Sequence, residues 1–391
     1  MSTQEIVMFV VMLLSGTGVF LVGVHLLTSN IEQLATGKIK KLFGKTANKR
    51  LVNVGIGAAT TAIIQSSGVT TVLIVGFVNV GIMTLSQATA MIMGANIGTT
   101  ITAQIAALSA FPFTTYVQIL VFIGVFVSML TKNDKVKKAG LLTAGLGLVF
   151  IGLSIMSDSM ESCKDSIQKV FEAVENPFLL FFLGIVLTAI VQSSSATTSI
   201  IIAMSVAGLQ IGTGGNEVLY FILGTNIGSC VTAIMSSFGA GTNAKRASLI
   251  HLMFNVFGSV IFFIIFACFP SFMEMTFKRW FSEAATQIAM FHTFFNVICV
   301  AIFLPFTSLF VKIATKVIRE KKEAKLSYLD ERMISSPSIA IAQIEKEMFL
   351  IADLAINTFR SAYNAFEKRD TGAADSIRAN IDKTAEMSQD I

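Results

Sequence analysis

The chain has 391 residues, of which 53% are hydrophobic and only 14% charged, and its mean hydropathy is +0.73. A soluble domain carries about 25% charged residues, so an ordinary soluble globular protein is excluded and a polytopic helical membrane protein is indicated. The net charge of +5 falls mostly in loops and the C-terminal region, where it reports membrane topology rather than nucleic-acid binding.

The first apolar run, Ile6–Leu27, lacks a basic leader and a small-residue cleavage site, so it reads as a retained span extending to Ser29. Ile31–Arg50 is basic, with Lys38, Lys40, Lys41, Lys45, Lys49 and Arg50 against Glu32 alone. Lysine-rich loops stay cytoplasmic. Leu51–Ile82 then runs without a charge, about 48 Å of helix against a hydrocarbon core of about 30 Å. A re-entrant helical hairpin turning near Gln65-Ser66-Ser67-Gly68 fits this length. Irregular backbone at that depth is tolerated only beside protein or a wet cavity.

Gln87–Leu108 crosses outward with GANIGTT (Gly94–Thr100) inside it, and Phe111-Pro112-Phe113 marks a turn. Thr115–Leu130 returns to the basic loop Lys132–Lys138, and Ala139–Met156 goes out again. Asp158–Glu175, with five acids and two lysines, is placed outside. Pro177–Gly208 is a second hairpin, followed by the crossing Val218–Phe238 with GTNIGSC (Gly224–Cys230) inside it. Lys245 and Arg246 mark the cytoplasm, Ile250–Phe269 crosses out, Ala284–Val311 returns, and Lys312–Lys325 is a basic juxtamembrane helix. Seven crossings and two hairpins, with the N-terminus outside and the C-terminus cytoplasmic, put every lysine-rich loop on one side. The four cysteines, Cys163, Cys230, Cys268 and Cys299, show no disulfide or metal-ligand spacing.

The two hairpins carry one motif. Thr61–Thr71 reads TAIIQSSGVTT and Thr188–Ser199 reads TAIVQSSSATTS, so that Gln192 answers to Gln65. Asn226 answers to Asn96 in the two NIG segments at nearly the same offset, and the preceding spans match from Gly18–Gly23 to Gly147–Gly152. The basic segment of the first unit answers to the acidic segment of the second, so the two belong on opposite membrane faces. That is an inverted-topology repeat, the architecture of transporters with a site at the bilayer midplane. The expected fold class is therefore an all-α polytopic membrane protein of two inverted repeats, each with a re-entrant hairpin, plus a short cytoplasmic helical tail. The expected divisions are 6–157, 158–311 and 312–391.

A helix broken in the membrane exposes N–H groups that attract anions and carbonyls that attract cations. Hydroxyls serve both, and amide oxygens suit a hard cation. Neither hairpin nor either NIG segment holds a charged residue, so an oxyanion there needs hydroxyls, backbone N–H groups and co-bound cations. Other readings stand beside this one. Hydroxyls in membrane helices often bond only their own i−4 carbonyl, glycines in GxNIG can serve close packing alone, and His251 and His292, in the echo HLMFNV and HTFFNV, read as helix-packing partners before any proton or substrate role. Catalytic residues are not expected. No GxSxG is present, and no acid neighbours the histidines.

In its QSS hairpins, its NIG segments and HLMFNVFG (His251–Gly258), the chain resembles the type II sodium/phosphate cotransporters in their bacterial branch, over roughly residues 18–310. The resemblance implies a secondary transporter coupling inward sodium movement to uptake of inorganic phosphate, with the site between the two QSS hairpins. Carried over by position, it implies a shared sodium and phosphate site of Gln65, Ser66, Ser67, Gln192, Ser193, Ser194 and Ser195, with Asn96, Thr99, Asn226 and Ser229 matching the downstream motif more weakly. The expected phosphate ligands are Ser66, Ser67, Ser193, Ser194, Ser195 and Thr197, and the expected sodium ligands Gln65, Gln192, Asn96, Thr99, Asn226 and Ser229. Gly68 stands where the family's motif has a third serine. The implied ligands are phosphate, sodium as co-substrate and the lipid of a bacterial inner membrane, with no cofactor, transition metal or nucleic acid. Alternatives are sodium-coupled transport of another small oxyanion, or a phosphate-responsive channel or sensor. Tyr328–Arg332, Ser335-Ser336-Pro337 and the helical pattern after them resemble the start of a PhoU-like region, expected to be incomplete and to offer a homo-oligomer contact.

Overall fold

The computed structural model describes residues 3–43, 49–79, 83–162, 164–172, 176–212, 214–238, 240–319, 329 and 337–389. Lys45, Cys163, Glu175, Lys321, Lys322, Lys325 and most of the Tyr328–Ser336 stretch lie outside the described residues.

The described residues are helical throughout their ordered elements. The first half holds α1 (Thr3–Phe43), α2 (Arg50–Ile64), α3 (Ser67–Asn79), α4 (Leu85–Ala107), a 3-10 turn at Leu108–Ala110, α5 (Thr114–Val117) and α6 (Leu120–Leu130). Then come α7 (Asp134–Glu161), α8 (Lys164–Glu172), α9 (Pro177–Val191), α10 (Ser194–Val206), α11 (Glu217–Gly228), α12 (Cys230–Ser237) and α13 (Thr242–Cys268). The short α14 (Phe272–Met275) and α15 (Phe277–Trp280) lead to α16 (Ala284–Phe303), a 3-10 turn at Leu304–Phe306, and α17 (Thr307–Val317). The tail forms α18 (Pro337–Lys368) and α19 (Ala374–Gln389), which pack on each other.

Among the described residues six helical stretches are long and apolar enough to cross a membrane: Gln4–Ile31, Leu85–Ala110, Asp134–Glu161, Glu217–Ser237, Thr242–Cys268 and Ala284–Val317. The chain is a multi-pass helical membrane protein. Thr114–Leu130 is a shorter apolar stretch. The four helices α2, α3, α9 and α10 have 13 to 15 residues each, about 20 to 22 Å at 1.5 Å per residue, short of a 30 Å core. Large apolar side chains such as Phe122, Phe126, Phe178, Phe182 and Ile190 are exposed on the bundle's outside, as a lipid-facing surface requires.

Local sequence chemistry sets several boundaries. Thr84 and Gln87 close a capping box at the start of α4, Gln87 N–H donating to Thr84 Oγ1 at 3.2 Å and Thr84 N–H to Gln87 Oε1 at 2.9 Å. Asn176 caps α9, with Pro177 in the first turn. Three expected boundaries move. The span and basic segment expected as separate pieces at Ile6–Ser29 and Ile31–Arg50 are one helix to Phe43, because a change from apolar to charged residues does not break a helix and no proline intervenes. The crossing expected from Ile250 begins at Thr242 and takes in Lys245 and Arg246. Arg246 is buried, its guanidinium donating to Ile318 O at 3.0 Å and Asn243 Oδ1 at 2.8 Å. The last crossing is interrupted at Pro305.

Helices α1 and α7 pack with their backbones in contact. A methyl group at Gly16 would strike Met156 and Gly152 O, and one at Gly23 would strike Val149 N and Gly145 O. One at Gly145 would strike Leu27 N and Gly23 O, and one at Gly152 would strike Phe20. Numbers fall along α7 as they rise along α1, so the two helices are antiparallel. The pairs Gly16/Gly145, Phe20/Val149, Gly23/Gly152 and Leu27/Met156 share one sequence offset, so every contact returns with its partners exchanged. Across the bundle, α13 and α16 form an aromatic seam, with ring centroids 5.1 Å apart for Phe262 and Phe295 and 5.6 Å for Phe266 and Phe291.

Candidate functional site

Two helices break at the same point of the repeated motif. Helix α2 ends at Gln65 and α9 at Gln192, each in the left-handed region, with φ of 53° and 57°. The Gln65 N–H donates to Thr61 O at 2.6 Å and the Gln192 N–H to Thr188 O at 2.7 Å. Among the described residues only Arg369 also has a positive φ without being glycine. Such a conformation costs a β-carbon-bearing residue of order 1–3 kcal/mol and persists where the surroundings over-determine it.

The next helix of each pair starts in the same way. Ser66 Oγ accepts from Val69 N–H, and Ser193 Oγ from Ala196 N–H, both at 3.2 Å. Thr70 Oγ1 donates to Ser66 O at 3.0 Å and Thr197 Oγ1 to Ser193 O at 3.1 Å. Ser66 and Ser193 are therefore N-caps, and the proton of Thr197 is already given to the backbone. Ser67, Ser194 and Ser195 occupy the first turns of α3 and α10, where helix amides lack intrahelical acceptors. Gln65 is half-buried and Gln192 exposed, its Nε2 lying 3.8 Å from Met235 Sδ.

Helix α12 brings the breaks together. A β-carbon on Gly68 would lie 3.2 Å from Thr232 Cγ2, while Gln192 reaches Met235. Thr232 and Met235 stand at i and i+3, hence are neighbours on one helix face. The first break thus meets a crossing helix of the second repeat, and α10 of the second packs on α4 of the first. Neither Thr232 nor Met235 was singled out in the sequence. The one available signal was that Thr232 answers to Thr102 at the same offset that relates Asn226 to Asn96.

The NIG segments lie behind the breaks, on α4 and α11. Glycine there is set by packing: a β-carbon on Gly98 would come within 2.8 Å of Thr61 Cβ, and one on Gly228 within 2.7 Å of Thr188 Cβ. Asn96 and Asn226 are both buried, their Nδ2 groups donating to Ile92 O at 2.9 Å and Ile222 O at 2.8 Å. Thr99 Oγ1 donates to Ala95 O at 3.0 Å and Ser229 Oγ to Asn226 O at 2.7 Å. Each hydroxyl proton is spent within its helix, which leaves the oxygen as an acceptor.

Three further pairs of hydroxyls lie outside the expected set of site residues, although the repeated motif itself contains two of them. Thr61 and Thr188, Thr71 and Thr198, and Thr102 and Thr232 occupy matching positions of the two repeats, and all six Oγ1 atoms are buried without a hydrogen-bond partner among the described residues. A buried hydroxyl left unpaired costs about 1–3 kcal/mol, so this recurrence marks oxygens available to a bound ion or water. Among the described residues no group of three His, Cys, Asp or Glu could hold a metal ion. Two cavities of about 190 and 200 Å³ flank the far end of α10, one bordered by Ser205, Lys278 and Gln287 and the other by Ser154, Ser157 and Asp158. Neither is lined by a residue of the breaks.

The profile of the Na+/Pi-cotransporters matches this sequence twice, over residues 19–158 and 159–304. The chain belongs to the Na+/Pi-cotransporter family. That is a family of transporters, not of enzymes. The chain is 28% identical over 305 residues to the uncharacterized protein YqeW of Bacillus subtilis, covering 77% of this chain and 96% of that one. It is 24% identical over 348 residues to YjbB of Escherichia coli, provisionally named an inorganic phosphate export protein, covering 87% of this chain and 62% of YjbB. A shorter stretch of 133 residues is 34% identical to the sodium-dependent phosphate transport protein 2A of Mus musculus, covering 32% of this chain and 20% of the mouse protein. No solved structure matches.

Proposed function

We propose that the protein couples inward sodium movement to uptake of inorganic phosphate, with both ions held between the two QSS breaks. The carrying observation is the pair of left-handed breaks at Gln65 and Gln192, each followed by serines in a helix's first turn and both reaching α12. First-turn N–H groups and hydroxyls of Ser66, Ser67, Ser193, Ser194 and Ser195 suit phosphate oxygens. Amide and hydroxyl oxygens of Gln65, Gln192, Asn96, Thr99, Asn226 and Ser229 suit sodium. No charged side chain lies in either break or NIG segment, so an anion held there is neutralised by cations that travel with it.

The antiparallel α1–α7 contact, with every pair exchanged at one constant offset, supports two repeats of inverted topology related by an axis in the membrane plane. The shortness of α2, α3, α9 and α10 supports reading each pair as a re-entrant hairpin. The two family matches, meeting between residues 158 and 159, support the division into two repeats. The orientation with the N-terminus outside rests on the lysine-rich loops, and the placement in a bacterial inner membrane on the likeness to bacterial relatives.

The name of YjbB favours a second reading, phosphate export. The experiment is phosphate flux in proteoliposomes with sodium inside, outside or replaced by choline. Uptake that follows an inward sodium gradient supports the proposal. Efflux that ignores sodium supports the second reading and overturns the first.

A further inference from the structure

The two NIG asparagines have unequal surroundings. Both fix their carboxamide by donating Nδ2 to the i−4 carbonyl, which settles which end of each amide is oxygen. The Oδ1 of Asn226 then meets His292 Nε2 on α16 at 3.2 Å. The Oδ1 of Asn96 accepts no hydrogen bond among the described residues. An amide oxygen only accepts, so the His292 proton sits on Nε2 and donates to Asn226.

His292 is itself held. It is 1% exposed, it follows Phe291 of the aromatic seam, and Asn296 Nδ2 donates to its carbonyl at 2.9 Å. A second helix grips the same turn of the NIG segment. Cys230 Sγ lies 3.6 Å from Asn226 O and 3.7 Å from His251 O, and Asn255 Nδ2 lies 3.3 Å from Cys230 Sγ. In the first repeat the position matching Cys230 is Thr100, whose hydroxyl bonds only Ile97 O. His292 Nδ1, on the ring's other side, has no partner among the described residues although buried.

We infer that His292 is a positioning residue for the Asn226 carboxamide, holding its oxygen toward a sodium ion in the second repeat, so that the two NIG positions are unequal cation ligands. The inference rests on the sodium role proposed for Asn226. The His292 bond restrains the Asn226 oxygen beyond the Nδ2 bond that both asparagines share, so this oxygen loses less freedom when it takes a ligand, and affinity rises by that margin. Asn96, with no such donor, binds more weakly. The amide oxygen has two lone pairs, so the histidine bond leaves one for the ion.

The test uses the full chain in proteoliposomes and measures the half-saturating sodium and phosphate concentrations separately. His292→Met removes the donor and fills the space with an apolar chain. His292→Gln keeps an N–H donor. Expected are a roughly 5- to 10-fold rise in half-saturating sodium for His292→Met, the factor for one hydrogen bond, no change in half-saturating phosphate at saturating sodium, and a value within about twofold of native for His292→Gln. Asn226→Ala separates the two claims. If it leaves the sodium dependence unchanged, the sodium role of Asn226 fails and the inference falls with it. If it shifts the dependence while His292→Met does not, the inference alone fails. Should the methionine variant not fold, His292→Leu takes its place: a rise of about fivefold or more in half-saturating sodium upholds the positioning role, and a smaller change overturns it.

Discussion

Gln65 and Gln192 share one backbone conformation, φ of 53° and 57°, and one hydrogen bond, from their own N–H to the carbonyl at i−4. Glycine adopts this conformation without steric cost, yet neither position is glycine. A side-chain amide held at both breaks at the expense of strain points to a ligand role. Replacing either by glycine separates backbone from side chain. Gln65→Gly and Gln192→Gly should leave the melting temperature in detergent unchanged or raised, and should cut sodium-driven phosphate uptake at least about tenfold, the effect of losing one ion contact. Unaltered transport in both would show that the amides serve only the turn.

The unpaired hydroxyls permit a similar separation. Thr102 and Thr232 hold buried oxygens without partners among the described residues, and valine has nearly the same shape without the polar atom. If the hydroxyls were only packing, Thr102→Val and Thr232→Val would be neutral or stabilising by up to about 1 kcal/mol, with transport intact. A role of these oxygens in holding sodium predicts the stability gain together with a weakened sodium dependence. Measurement of melting temperature and half-saturating sodium on the same preparations checks both.

Much of this site was legible in the sequence. The charge-free run Leu51–Ile82 is too long for one span, and its QSS cluster shows where it breaks. The internal repeat then doubled every observation. Other features were not legible, for physical reasons. Thr197 Oγ1 donates to Ser193 O, while Thr198 and Ser199 beside it hold buried oxygens without partners among the described residues, a difference the sequence does not show. One residue turns a helix by about 100°, and sequence alone does not give the rotation. The bridge from Gly68 through Thr232 and Met235 to Gln192 joins segments far apart in the chain. The echo of HLMFNV and HTFFNV was visible, but not that His292 faces Asn226 while His251 meets Cys230 through its carbonyl. The continuation of α1 to Phe43 was hidden by the switch to charged residues, which changes the helix's surroundings and not its geometry.

The proposed inverted arrangement predicts a labelling pattern. In a cysteine-free background, Gln33→Cys, just beyond the first span, should react with impermeant maleimide only from the cytoplasmic side. Lys164→Cys, at the start of α8, should react only from outside. Labelling of both positions from one side contradicts inverted repeats.

Sodium and phosphate are proposed to occupy one site and to move together. Parallel fluxes of radiolabelled sodium and phosphate into the same proteoliposomes test it most directly. The site has no carboxylate in its breaks or NIG segments, and holding surplus charge in a low dielectric is costly. The predicted result is therefore phosphate-dependent sodium entry at two sodium ions per divalent phosphate, with no net current, lost in Gln192→Gly. Phosphate flux with no accompanying sodium flux would contradict the account.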